Sequence, residues 1–159
     1  NFILLFVAAL FVGCAPSGVQ VTTDDEKSQA IKAAYDGYLV NDFTASNELY
    51  SEETAIYINS VETISNEENL AAFSSHHDFY TDISMSRTYI QTSAYDNDLG
   101  TWTHAWFVWK GTGKASGNTF EVPCHVAYQW GDDGKVAQTW FFSDQSNHLK
   151  ELAAAGVEL

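Results

Sequence analysis

Between Glu26 and Asn41 the apolar residues fall at helical spacing, at Ala30, Ile31, Ala34, Tyr35, Tyr38 and Leu39. Thr23 and Glu26 stand before them as a T-x-x-E capping box, so the spacing predicts an amphipathic helix ending near Asn41. The segment NDFTASNELY predicts a second, short helix capped by Asp42, with Phe43 and Leu49 turned inward. TAIYINS, residues 54–60, reads as a strand, and VETIS offers it a short partner. Ser65 and Glu68 form another capping box; the helix behind it runs through Leu70, Ala71 and Phe73 to about His77, and FYTDIS is a connection. Strands are then expected at about Ser84–Ala94, Thr101–Lys110, Thr119–Trp130 and Val136–Ser143, separated by the turns YDNDLG, GTGKASGN and GDDGK. The segment QSNHLKELAAAG closes the chain as a short helix. Helices first and an antiparallel meander last make an α+β domain, not alternating βαβ units. Strands this long twist, and such a sheet curls around the helices and leaves a hollow between.

One strand departs from simple alternation. TWTHAWFVWKG, Thr101–Gly111, is apolar on both faces: Trp102, His104, Trp106 and Val108 share one side, and Thr103, Ala105, Phe107 and Trp109 the other. A monomer rarely exposes so much contiguous aromatic surface. Both faces are therefore expected to be covered, with the tail or a helix as the plainer cover for the second.

The first residues stand outside this pattern. NFILLFVAALFV, Asn1–Val12, carries no charge and has the length of a secretory-signal core, too short to span a membrane as a stable helix. It runs into GCAPSG, where Gly13 before Cys14 resembles a bacterial lipoprotein signal with Cys14 as the lipidated residue, although Phe11 sits where that signal usually has Leu. An ordinary cleaved signal or a short anchor helix is the alternative. The expected organisation is a cleaved segment at 1–13, a tether at 14–23 and one domain at 24–159. The expected location is the cell envelope, with the protein lipid-anchored on the periplasmic or outer side of a bacterial membrane. With Cys14 acylated, Cys124 is left without a partner in an apolar strand, as a small core residue.

The 159 residues hold 7 Lys and Arg against 21 Asp and Glu, a formal net charge of −14, with no basic stripe. That balance repels phosphate backbones and argues against a nucleic-acid partner. Hydrophobic residues make up 45% of the chain and aromatic residues 14%, enough for a packed core.

The order of helix, LYSEETAIYINS, capped helix and meander resembles the NTF2-like superfamily, and within it the SnoaL-like group, over roughly Asp24–Gly156. The most specific part is FEVPCHVAYQWGDDGKVAQTWFFSD, similar to the SnoaL-like succession of Pro, His, strand, Asp-Gly-Lys, strand, aromatic and Asp. The resemblance implies a cone, a curved antiparallel sheet wrapped around N-terminal helices, with an apolar pocket in its mouth and a convex face that packs as a homodimer. The superfamily contains isomerases, dehydratases, cyclases, epoxide hydrolases and non-enzymes, so the fold does not fix the activity. No equivalent of the tyrosine and acid of the ketosteroid isomerase branch is evident.

His125, in mid-strand, and Asp144, at the end of the next strand, are the leading catalytic pair. A carboxylate beside imidazole fixes its tautomer and raises its pKa, and SnoaL-like cyclases are understood to use an acid and a histidine in their cavity. The plainer alternative makes His125 a core histidine and Asp144 the cap of the last helix. If His104 faces His125, both share the face of Trp102 and Trp106; a slip of one residue moves His125 to Phe107 and Trp109. Tyr57 and Asn59 share a face of their strand and are candidate pocket groups, as are Trp102, His104, Trp106, Tyr128 and Trp140. His76 and His77 in SHHDF lack a metal-ligand spacing or a cysteine partner; they read as a helix C-terminus, where a cationic histidine is favourable. No dinucleotide fingerprint, P-loop or nucleophile elbow occurs, and no metal or other cofactor is expected. Two functions remain: a pocket for a small apolar or aromatic molecule with cofactor-free acid–base chemistry, or a non-enzymatic, membrane-tethered dimeric interaction or ligand-binding module.

Overall fold

The computed structural model describes residues 18–158; Asn1–Val12 and Cys14 lie outside the described residues. Eleven elements follow one another: β1 (Gln20–Thr22), α1 (Glu26–Leu39), α2 (Thr44–Leu49), β2 (Tyr50–Ile58), β3 (Thr63–Ile64), α3 (Asn66–Phe79), β4 (Tyr80–Ala94), β5 (Thr101–Gly113), β6 (Thr119–Trp130), β7 (Val136–Ser143) and α4 (Ser146–Ala154). The strands form one sheet in the order β1-β4-β5-β6-β7-β2-β3. All pairs are antiparallel except β2 with β7. This is the expected α+β architecture, a curved, unclosed sheet around N-terminal helices.

Local chemistry sets the element ends. The cap of α1 is Asp25 rather than Thr23: its carboxylate accepts from the Lys27 and Ser28 N–H groups at 3.0 and 3.1 Å. The same carboxylate takes the hydroxyls of Thr22, Ser28 and Thr92, so an acid one residue before the helix outcompetes the threonine box. The Ser65–Glu68 capping box of α3 forms as the sequence implies. Helix α3 passes directly into β4 at Tyr80, so FYTDIS is helix end and strand start, not a connection. Gln20–Thr22, inside the expected tether, pairs with the edge of β4.

Strand β4 is 15 residues long and bent by two irregularities in its pairing with β5, at Thr81/Ser84 and Ser86/Tyr89. Asp82 and Arg87, with φ of 54° and 53°, supply the left-handed turns that each bulge needs. The bending wraps the sheet over α1, whose Ile31, Ala34 and Tyr38 are buried against it.

The two faces of β5 are resolved by size. Thr103 and Ala105 are both 0% exposed on the inner face, small enough for the helix layer to approach closely, and Phe107 is buried with them. Trp102, His104 and Trp106 stand on the convex face. Trp106 pairs with His125 across to β6, so His125 belongs to that face too.

Candidate functional site: a histidine–tyrosine cluster inside the cone

Between the helices and the concave side of the sheet lies a cavity of about 110 Å³. Its wall is mostly apolar, with Phe73 from α3, Phe107 from β5, Val122 and Val126 from β6 and Phe141 from β7. An apolar protein cavity of about 150 Å³ stays dry and takes up benzene, so this space suits a molecule of about one ring.

Polar groups enter the cavity in two clusters. The first begins on α1. Trp109 Nε1–H donates to Tyr38 Oη at 2.7 Å, and the Tyr38 hydroxyl meets His76 Nδ1 at 2.9 Å. The Tyr38 hydroxyl thus bridges the indole of β5 and the imidazole of α3. Burial, helped by the neighbouring His148 and His77, draws the His76 pKa down to about 4. The cationic helix end expected from SHHDF is therefore not formed at His76. His77 instead places Nε2 at 2.8 Å from the Tyr38 carbonyl oxygen.

Tyr80, at the α3–β4 junction, continues this cluster. Its hydroxyl is 2.9 Å from His148 Nδ1 on α4, and the His76 and His148 rings are 5.1 Å apart. Burial, with the Glu151 charge behind it, pushes Tyr80 up to about 12. Burial lowers His148, and Glu151 opposes that shift. A neutral imidazole paired to a tyrosine, half open to the cavity, is able to accept a proton.

The second cluster is Tyr35 and Tyr128, whose hydroxyls are 2.9 Å apart. Burial holds both far above the usual phenol range. Tyr35 and Tyr38 are one turn apart on α1, so the two clusters are neighbours, and Ser46, Asn69 and Thr139 add further polar groups to the wall.

The residues read from the sequence are distributed differently. Tyr128 lines the cavity. Asp144 reaches its rim, exposed, and Oδ1 accepts the Ser146 N–H at 2.9 Å, so it serves the start of α4. His125 does not meet it. His125 Nε2 lies 3.2 Å from His104 Nδ1 on the convex face, because every second residue of β6 points away from the helices. Trp102, Trp106, Tyr57 and Trp140 stand on that face as well. Asn59 ends β2, where its amide mimics a strand edge, donating to the Ser143 carbonyl at 2.9 Å and accepting the Ser143 N–H at 3.0 Å. Cys124 is a free, buried thiol in the cavity wall, pushed up to about 11 by burial, which suits a packing role and not a nucleophile.

His76 and His148 are the groups the pattern reading passed over. A signal for His76 was present: it falls three residues after Phe73 and so continues the buried stripe of α3. Nothing in the sequence joins His148 to Tyr80, 68 residues earlier. Among the described residues, no three His, Cys, Asp or Glu side chains gather as metal ligands.

The convex face carries a continuous row of rings. Tyr89 stands next to Trp106, 5.8 Å between centroids; His104 and His125 follow at 5.6 and 4.9 Å from Trp106. The row continues through Phe142 and Trp140 to Tyr57, stacked on Trp140 at 3.9 Å. From His104 to Tyr57 each ring plane lies within 20° of its neighbour's. The rings stand side by side like slats.

No family model matches the sequence, and no curated protein matches it. Solved structures do. A candidate polyketide cyclase from Xanthomonas campestris pv. campestris matches at 16% identity over 79% of this chain and 95% of its own, TM-score 0.61. PrhC from Penicillium brasilianum matches at 17% identity over 80% of this chain and 90% of its own, TM-score 0.59. A protein with a ketosteroid isomerase-like fold from Catenulispora acidiphila matches at 12% identity over 82% of this chain and 94% of its own, TM-score 0.53. At such identities the likeness concerns the fold. The chain shares the fold of these proteins, a curved, unclosed sheet around N-terminal helices, the cone that the SnoaL-like resemblance of its sequence implies.

Proposed function

We propose that the cone binds a small apolar or aromatic molecule carrying one oxygen function, and that His148 with Tyr80 moves a proton on it without a cofactor. One observation carries the reading: a mostly apolar cavity receives a neutral imidazole hydrogen-bonded to a buried tyrosine. The chemistry expected of His125 and Asp144 passes to this pair because His125 faces outward. Tyr80, kept protonated, donates to a developing oxyanion, and His148 accepts a proton from carbon or oxygen. Candidate polyketide cyclases and a candidate isomerase among the structural neighbours are consistent with such work. Export belongs to this reading through Asn1–Val12 and Cys14 of the sequence alone.

Exchange of the methyl protons of para-fluoroacetophenone in heavy water tests the acid–base half. The wild type is expected to accelerate exchange over buffer, and His148→Phe to lose roughly a hundredfold of that acceleration. Equal rates in the two proteins would contradict the role of His148.

A second reading is favoured by the convex face. The row from Tyr89 to Tyr57 contains no acidic side chain, on a chain of net charge −14; the ion pair of Lys110 and Glu121, 3.7 Å, lies beyond it. Like-charged copies join where carboxylates are absent. Slat-like rings present edges to solvent, which suits interdigitation with a second such row better than stacking of a flat sugar. The domain is accordingly expected to act as a homodimer.

A further inference from the structure

Among the described residues, Glu151 is the only acidic side chain that is fully buried. Its Oε1 accepts the Ala115 N–H at 2.7 Å and, more weakly, the Ser116 N–H at 3.4 Å, both in the β5–β6 turn. Its Oε2 is buried and has no hydrogen-bond partner. The carboxylate lies directly on Gly113, where a Cβ would stand 2.1 Å from Oε2. Any larger residue there would push the acid away. Gly113 is the cross-strand partner of Tyr80, and Tyr80 holds His148, three residues before Glu151 on the same face of α4. Acid, tyrosine and histidine converge at one corner of the cone.

Anchoring the turn requires one acceptor, which a glutamine carbonyl supplies at a smaller desolvation cost. The turn N–H groups and the Ser116 side chain hold Glu151 as a carboxylate, and a positive charge that forms beside it is stabilised in turn. The groups around His148 are His76 from α3, Tyr80 from β4, and Asp144 and Glu151 from its own segment. Lys114 of the turn is occupied with the His77 carbonyl at 2.8 Å. His76 is neutral, Tyr80 stays protonated, and Asp144 is exposed and screened by water. Glu151 is the carboxylate that water does not screen.

We infer that Glu151 is a positioning residue for the His148–Tyr80 pair: Oε1 ties α4 to the β5–β6 turn so that His148 meets Tyr80, and Oε2 supplies the counter-charge when His148 takes up a proton. The inference rests on the acid–base reading of the cavity. It assigns Glu151 no contact with the bound molecule.

Titration of the His148 ring by NMR, on the ligand-free protein, tests it. Glu151→Gln keeps an acceptor for the turn and removes the charge, and is expected to lower the His148 midpoint by roughly one pH unit. Asp144→Asn is expected to shift it by less than half as much. A Glu151→Gln midpoint within about 0.2 units of the wild type overturns the inference, since a merely structural anchor would leave it unmoved. Should Glu151→Gln fold poorly, the wild type gives the same answer. The Glu151 carboxyl carbon is expected to report a second transition at the His148 midpoint, and a flat response there overturns the inference. Both readouts are independent of ligand, so a cavity that binds no aryl ketone would defeat the functional reading and not this one.

Discussion

Trp106→Glu is expected to turn the proposed homodimer into a monomer. Trp106 is 37% exposed in the convex row, touching Tyr89, His104 and His125. Aromatic residues buried in an interface carry much of its binding energy. A carboxylate there removes that contact and places a charge in the acid-free row, so the loss is both of contact and of charge balance. Weakening by roughly a hundredfold or more is expected, read by sedimentation velocity at micromolar concentration. Because the side chain points away from the helices, the monomer should keep its fold and its near-native far-UV spectrum. Wild-type protein that sediments as a monomer at about 100 µM would remove the dimer, a concentration at which even modest interfaces associate.

One residue further along the same strand, the expected loss is of stability. Phe107 is 5% exposed, and its ring meets the edge of Tyr35 at 5.0 Å. Phe107→Ala removes a buried ring and enlarges the cavity, costing about 3–5 kcal/mol. For a domain of this size that lowers Tm by roughly 10–20 °C. Thermal unfolding of the two variants side by side separates the faces of β5. Phe107→Ala should melt far below the wild type at any protein concentration. Trp106→Glu should lose only the part of its stability that depends on concentration. Similar losses in both, independent of concentration, would mean that the faces are assigned wrongly.

The alternation of β5 was legible, but not its direction. Hydrophobicity cannot choose between Trp102, His104, Trp106, Val108 and Thr103, Ala105, Phe107, Trp109, because both sets are apolar. Side-chain size chooses: the helix layer approaches closely over Thr103 and Ala105, Phe107 and Trp109 face the cavity, and Trp102 and Trp106 are left outside. Periodicity and capping boxes located the helices and the meander, since these depend on neighbours within one turn or one strand. The Asp25 cap was missed because its advantage comes partly from Thr92, 67 residues away. The site suffered most from this distance. His125 and Asp144 were chosen for their place in a motif, and the pleat sends one of them out of the cone. His148, Tyr80 and Glu151 come from two distant segments, and only the packing of α4 against the curved sheet brings them together.

The central claim is that the cone holds a small uncharged aromatic molecule. Fluorine NMR of para-fluoroacetophenone tests it most directly, comparing the wild type with Val122→Trp, in which an indole fills the cavity from β6, and with Trp106→Glu as the control for the convex face. The account predicts broadening and a shifted resonance with the wild type and with Trp106→Glu, and a free-ligand spectrum with Val122→Trp. Broadening that survives Val122→Trp and disappears with Trp106→Glu would place the ligand on the outer face and contradict the account.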